Sequence, residues 1–316
     1  MVSLVRPRIP LRRGGKGVDE TEGPLVRGSR AAILIAILLL ASTPLILAYS
    51  TLILTSFANT IVSNPWVKVD WTIENWVKFF RGELSPTAGR VYSPRDIAMF
   101  IVNTLIVAAG VTVVVLAASL TSAYAFSRMN FRGRVDALRF LILLHAFPGV
   151  ALIVGVYAMY IWLQEYVPRD AILAYSFLFV IIARASLEIP MSIWILKGFF
   201  DRIPWELEWA VIVDGGSRWT AFRKVVLPLV KPGIAAVAIF AFLAGWEDLI
   251  YVLVFLPPEV KTLATYIEGQ LAGGSLETTY LPIVAAAGTL YLLPTIIFFV
   301  ATQRLLLETM SGGLKG

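Results

Sequence analysis

The sequence predicts an all-α membrane protein, a bundle of six transmembrane helices, and three observations carry that prediction. Of the 316 residues, 58% are hydrophobic and only 15% are charged, whereas a soluble domain carries about 45–50% apolar and about 25% charged residues. Six runs are each long enough to cross the hydrocarbon core, which takes about 20 mostly apolar residues. Lys and Arg are dense in alternate connecting segments, as the positive-inside rule requires. The chain has no cysteine and one histidine, His145. That excludes thiol catalysis, disulfides and thiolate metal sites, and no cofactor or metal is expected.

The expected spans are Ala31–Ser56, Ala98–Ser127, Phe140–Leu163, Ala171–Leu196, Gly233–Leu256 and Leu281–Val300. The first is too long for a signal peptide and no small-residue cleavage pattern follows it, so it is read as retained. One alternating set of segments is the N-terminal tail, the Met129–Arg139 loop with Arg128 at its head, the Lys197–Pro232 loop and the C-terminal tail. This set holds 19 basic residues and the opposite set 7, with Arg184 inside the fourth span. Both termini are therefore expected in the cytoplasm. The net charge of +6 belongs to this bias, and the partner it implies is the bilayer, not nucleic acid.

The organisation in sequence order is a basic cytoplasmic tail (1–30), a first span with an external loop (31–97), a bundle core (98–306) and a cytoplasmic C-terminal tail (307–316). The core contains a long cytoplasmic loop, 197–232. The tail lacks helical periodicity and is expected to be disordered or to lie along lipid headgroups. Its Gly14-Gly15-Lys16-Gly17 is not a phosphate loop, because no Ser or Thr follows the lysine and no strand precedes it.

The 197–232 loop exceeds the usual helix connection of about 2–8 residues and reads as two short helices. The first begins after Ile203, with Pro204 at the first helical position and Glu206 and Glu208 in the first turn, and stops at Asp214-Gly215-Gly216. Ser217 caps a second, with Trp219, Phe222 and Val226 on one face. Leu227-Pro228 and Lys231-Pro232-Gly233 are expected to break the chain before the fifth span. The apolar residues of the first helix either fold back under the bundle or dock into a groove of a separate cytoplasmic protein.

The stretch from Gly198 to Ser217, followed by Val226-Leu227-Pro228, resembles the EAA loop of ABC-importer permeases. The wider chain is similar to the maltose/multiple-sugar branch of that family, to the smaller of its two paired permeases. Matching stretches include Asn103–Val107, Ala123–Arg128, Phe131–Arg134, Ile193–Phe200 and Gly245–Asp248, so the resemblance runs from about Asn103 to the C-terminus. It implies a six-helix permease with cytoplasmic coupling helices, carrying a sugar or oligosaccharide and catalysing no chemistry itself. The implied partners are a second homologous permease, two ABC ATPase subunits and an external solute-binding protein. The residues implied in ATPase coupling are Pro204, Glu206, Glu208, Trp209, Ala210, Asp214 and Gly215.

One departure stands out. The family pattern of a glutamate and two alanines falls here on Trp209, Ala210 and Val211, so the glutamate that pairs with the ATPase is replaced by tryptophan. Trp209 is expected as an aromatic anchor in the ATPase cleft, with Glu206 or Glu208 as a rim charge, or else packed under the chain's own bundle. In the external segment Pro257–Tyr280, the tip Leu271–Ser275 is expected either to reach a binding protein or to be a plain connection.

Ionisable residues inside spans are functional candidates by default. Arg184 and Glu188 are four apart on one helix face and either neutralise each other or line a wet path. Glu247 and Asp248 follow Trp246. They offer a surface on which a sugar stacks and hydrogen-bonds, or a local break where the acids meet Arg184. His145 is read as a packing residue. The alternatives are the same architecture importing a glycerol phosphodiester or a polyamine, an intramembrane enzyme using these acids, or a proton-driven secondary transporter. The enzyme lacks any HExxH or Ser–His pair. The secondary transporter lacks visible inverted repeats and leaves the coupling loop unexplained.

Overall fold

The computed structural model describes residues 24–64, 66–83, 92–272 and 281–312. Most of the basic tail and the tip residues 273–275 lie outside the described residues. Two compact units are distinguished, Met1–Thr51 and Leu52–Gly316. In chain order the helices are α1 (Pro24–Ser56), α2 (Glu74–Arg81), α3 (Pro94–Arg128), α4 (Arg134–His145), α5 (Gly149–Gln164), α6 (Ile172–Asp201) and α7 (Trp205–Val213). They continue with α8 (Arg218–Ala221), α9 (Leu227–Leu229), α10 (Lys231–Trp246), α11 (Ile250–Phe255), α12 (Leu263–Ala272) and α13 (Leu281–Gly312). Extended structure among the described residues is limited to one isolated bridge, Ala58 to Trp71.

Four helices are long and apolar enough to cross a membrane unbroken: Ala32–Ser56, Pro94–Arg128, Arg169–Asp201 and Leu281–Ala301. The third and fifth expected spans are not single helices. The third divides into α4 and α5, which meet at 96°. Pro148 stands at the break as the N-cap of α5, and its ring and missing N–H prevent α4 from running on. The fifth stops at Trp246 and resumes at Ile250. There the Asp248 carboxylate accepts from the backbone N–H groups of Tyr251 (2.9 Å) and Val252 (3.2 Å). A short polar side chain that satisfies the start of a new helix competes with continuation of the old one.

The expected break at Leu227-Pro228 is not observed. Residues Phe222–Val226 form a π-helical turn, and the Leu227 N–H bonds to Phe222 O. Widening the coil in this way accommodates a proline that cannot donate to the turn before it. The chain bends at Val230, beside the second expected break at Lys231-Pro232-Gly233, where Arg218–Leu229 meets Lys231–Trp246 at 73°.

The core lies along α3, which packs against both α6 and α10. Val107, Val111 and Val115 of α3 are fully buried against Val180, Leu196 and Phe200 of α6 and Val237 and Ala241 of α10. At Gly245 the two backbones come so close that a Cβ would lie 2.8 Å from Ala108 Cα, so glycine is required there. A second cluster joins Phe79 of α2, Phe100 of α3, Trp246 of α10, Tyr266 of α12 and Ile283 of α13. The outer faces carry exposed apolar side chains such as Val113, Val154 and Ile297, the pattern of a bundle solvated by lipid.

The ends of this second cluster are tied by polar side chains. Asn75 Nδ2 donates to Ser56 O (3.1 Å) and Ala58 O (2.8 Å). Asn103 Nδ2 donates to Lys261 O (2.8 Å), and Thr104 Oγ1 accepts from Leu263 N (2.9 Å). The segment before residue 273 is thus an anchored helix. Burial raises the Tyr266 hydroxyl pKa above the ordinary phenol range.

Candidate functional site: a cavity at the helix breaks and an exposed loop helix

The break between α4 and α5, the break between α10 and α11, and the stretch of α6 around Pro190 come together around a cavity of about 810 Å³. Each break follows from sequence-local chemistry, and together they open polar backbone and side chains at the middle of otherwise apolar helices. Non-helical backbone at membrane depth is tolerated where it lines such a cavity.

Arg184 organises the cavity wall. Its guanidinium contacts Glu188 at 2.9 Å and Asp248 at 3.0 Å, and its Nε also donates to Ala244 O at 3.2 Å. Glu188 and Asp248 thus share one cation, which joins α6 to the broken end of α10 in the arrangement of the expected alternative where an acid at the break meets Arg184. Glu247 turns the other way and accepts from Thr295 Oγ1 of α13 at 3.1 Å. Two further lining groups complete the wall: His145 Nδ1 is 3.1 Å from Leu187 O, and Tyr251 OH donates to Gly149 O at 3.0 Å. Trp246 lies outside this wall. It is buried, stacked between Phe242 and Tyr291, and its Nε1 donates to Tyr291 O at 2.8 Å. At 4% exposure the ring has no free face.

At the far end of α3 and α6, α7 begins after Pro204 and ends in a Schellman closure. Gly215, at φ +84°, donates to Ile212 O (3.0 Å), and Gly216 donates to Val211 O (2.8 Å). A Cβ at Gly216 would lie 2.7 Å from Val211 O, so both glycines are needed to turn the chain here. Ser217 then caps α8 by accepting from Thr220 N at 3.2 Å. The expected Asp-Gly stop and Ser cap are both present.

One face of α7 stays exposed: Trp205, Glu206, Leu207, Trp209, Ala210 and Val213. Trp209 is 52% exposed and is not packed under the bundle. Glu208 differs, and the expectation of a rim charge at Glu208 is corrected. It points about 100° away from Trp209 and is buried against the last turn of α3, 2.6 Å from Arg128 Nε. Its other oxygen accepts from Tyr124 OH at 2.9 Å. The Arg128 N–H is not aimed along the 2.6 Å line, so the contact is an ion pair rather than an aligned hydrogen bond. Of the two acids, Glu206 alone is left at the surface.

Arg128 and Tyr124 are the residues that sequence reasoning missed. Both sit in the Ala123–Arg128 stretch, but Arg128 counted there only as one of the loop cations. Among the described residues, no group of three or more His, Cys, Asp or Glu is arranged to hold a metal ion.

Comparison with known proteins agrees with this architecture. The family model described as "Binding-protein-dependent transport system inner membrane component" matches residues 110–311. The chain is 31% identical over 252 residues to the maltose/maltodextrin transport system permease protein MalG of Escherichia coli (strain K12), covering 79% of this chain and 82% of that one. It is 26% identical over 259 residues to the trehalose transport system permease protein SugB of Mycobacterium tuberculosis, covering 82% and 87%. In structure it resembles a chain of a bacterial ABC transporter involved in the import of the acidic polysaccharide alginate. That match has a TM-score of 0.63 at 18% identity and covers 93% of this chain and 99% of the other. A second crystal structure, of a bacterial alginate transporter in complex with an alginate pentasaccharide-bound periplasmic protein, matches with a TM-score of 0.59 at 18% identity over 89% and 94%. The chain belongs to the binding-protein-dependent transport system inner membrane component family, and it is a multi-pass inner-membrane permease of an ABC importer, not an enzyme.

Proposed function

We propose that this permease pairs with a second homologous permease and two ABC ATPase subunits, and that an external solute-binding protein delivers a sugar or oligosaccharide to it. The observation that carries the ATPase contact is the exposed apolar face of α7, held rigid by the Schellman closure at Gly215 and Gly216. A tryptophan on such a face suits the centre of an interface, where desolvated aromatic side chains contribute most. Both termini and α7 lie in the cytoplasm on this reading, as the basic-residue asymmetry suggests. Closure of the ATPases on ATP would draw the two coupling helices together and open the cavity outward.

The cavity chemistry supports a neutral, hydroxyl-rich solute. Among its described lining residues, Arg184 is the one permanent cation, and its bonds are committed to Glu188, Asp248 and Ala244 O. Of the three lining carboxylates, Glu188 and Asp248 share one guanidinium and Glu247 bonds Thr295 instead. Carboxylate oxygens accept hydrogen bonds from sugar hydroxyls, whereas an anionic solute such as a glycerol phosphodiester finds no spare cation in this half of the path. The same excess of acid makes a polyamine the second reading.

The test is reconstitution with the second permease and ATPase, reading ATPase co-purification and solute-stimulated hydrolysis. Trp209→Ala is expected to weaken ATPase association by about 2–4 kcal/mol. If Trp209→Ala leaves both readouts intact while Glu206→Ala abolishes them, the aromatic anchor is wrong. ATP-driven uptake by the chain alone would overturn the whole assembly.

A further inference from the structure

We infer that Arg128 is the positioning residue that locks α7 to α3, so that the loop helix and the long membrane helix move as one body. The inference rests on the reading of α7 as an ATPase-docking helix and adds the route by which its displacement enters the bundle. Covalently, α7 follows α6 through Arg202–Pro204, where Arg202 and Ile203 bond back to Phe199 O and Phe200 O and Pro204 has a fixed φ, but no part of that connection ties α7 to α3. The side chain of Arg128 supplies that tie.

Arg128 makes three contacts at once. It ion-pairs with Glu208 at 2.6 Å, its Nη2 donates to Ile203 O at 2.8 Å, and its guanidinium lies 4.7 Å from the Trp205 ring centroid. The connection and the first turn of α7 are thus held by one planar group at the last residue of α3. The ion pair is almost dry, with side-chain exposures of 4% for Arg128 and 8% for Glu208, so water does not compete for it. Neighbouring side chains on the same turn extend the grip. Tyr124 OH donates to Glu208, its ring meets Phe222 edge-on at 4.7 Å, and Ser127 Oγ donates to Asp201 at 2.6 Å.

The other partner in the argument is α3 itself. It runs unbroken from Pro94 to Arg128 and reaches the close backbone contact of Ala108 with Gly245. Gly245 stands just before the Glu247–Leu249 break that forms the cavity wall. A packed contact of that kind has discrete arrangements rather than continuous give. Motion delivered to the end of α3 therefore arrives at the cavity without passing through a flexible loop.

Arg128→Lys separates geometry from charge. Lysine keeps an ammonium near Glu208 but lacks the planar fork that reaches carboxylate, carbonyl and ring together. The chain has no cysteine, so spin labels at Thr121→Cys on α3 and at Val211→Cys on α7, half-buried and off the exposed docking face, report one distance in the assembled transporter. In the Arg128 protein that distance is expected to be single and unchanged between nucleotide-free and ATP-trapped states. In Arg128→Lys it is expected to broaden or shift with ATP. Uptake should fall about ten-fold while ATPase co-purification and basal hydrolysis stay within two-fold. Tyr124→Phe, which removes one hydrogen bond, should fall in the same direction by a smaller factor and guards against a folding defect in the lysine variant.

A label distance that changes with ATP in the Arg128 protein overturns the proposal, because α7 would then move independently of α3. Arg128→Lys with full uptake overturns it as well. Loss of ATPase co-purification in both variants also overturns it, since the cluster would then serve docking. If the Arg128 protein binds no ATPase in the first place, the docking-helix reading fails instead; the lock then stands only if Arg128→Lys broadens the label distance in the chain alone, and an unchanged distribution overturns it.

Discussion

The molecule contains two clusters of arginine and carboxylate built from the same chemistry and surrounded differently. At the loop helix, Arg128 and Glu208 are 4% and 8% exposed and bind each other with tyrosine and a carbonyl in support. At the cavity, Arg184 and Glu188 are 18% and 21% exposed, and the guanidinium is shared with Asp248, itself 7% exposed, so only the Arg184–Glu188 side of this cluster is wetter. A dry pair holds its partners in one arrangement, because a lost partner leaves a buried charge behind. A more exposed pair such as Arg184–Glu188 gives up its contact to water at smaller cost, which suits the proposed solute path. The first is suited to transmitting force and the second to passing cargo.

The largest expected effect breaks the dry cluster. Glu208→Ala leaves the Arg128 guanidinium buried without a counter-charge, which costs about 3–5 kcal/mol. The measurement is the thermal midpoint of the purified chain in detergent, expected to fall by roughly 5–10 °C. A fall of under about 2 °C would show that water reaches Arg128, and the contrast with the cavity would disappear.

The cavity cluster should respond less in stability and more in transport, because its cation keeps a second partner when one acid is neutralised. Asp248→Asn retains an oxygen to accept from Tyr251 and Val252 N–H, and Glu188 still pairs with Arg184. A loss of about 1–2 kcal/mol in stability is expected, with a larger relative loss of uptake in the assembled transporter. Equal losses of stability at Asp248 and Glu208 would place both clusters in one structural class.

How much of this was legible in the sequence depends on distance along the chain. The spans were read because hydropathy is summed over adjacent residues, and Asp214-Gly215-Gly216 was read as a stop because a Schellman closure is local. The Arg184–Glu188 pair was read from its four-residue spacing. The helix breaks were harder. Average hydropathy hides the interruption at Pro148, the break at Asp248 is one of two readings its sequence allows, and Pro228 reads as a break although a π turn absorbs it. The contact of Glu208 with Tyr124 spans 84 residues, and nothing in helical periodicity says which of two neighbouring acids faces inward. Tertiary packing decided that Glu208 is a bundle residue and Glu206 a surface one.

That division gives the smallest prediction and a sharp use of it. Glu206 stands in the first turn of α7, where a carboxylate is favoured by the helix dipole, and it is solvent-exposed. Exposed charges gain little from pairing because water and salt screen them. Glu206→Gln is therefore expected to leave the thermal midpoint unchanged and to weaken ATPase association by no more than a few-fold. The difference from the parent protein should shrink as salt rises from about 50 to about 500 mM, since the Debye length falls below the separation of partners across an interface rim. Trp209→Ala measured in the same series should show a loss that salt does not reduce, because burial of an aromatic ring is not a charge effect. If the Glu206→Gln loss is large and persists at high salt, Glu206 is desolvated in the complex. The charged contact would then have moved one turn earlier rather than been replaced by tryptophan.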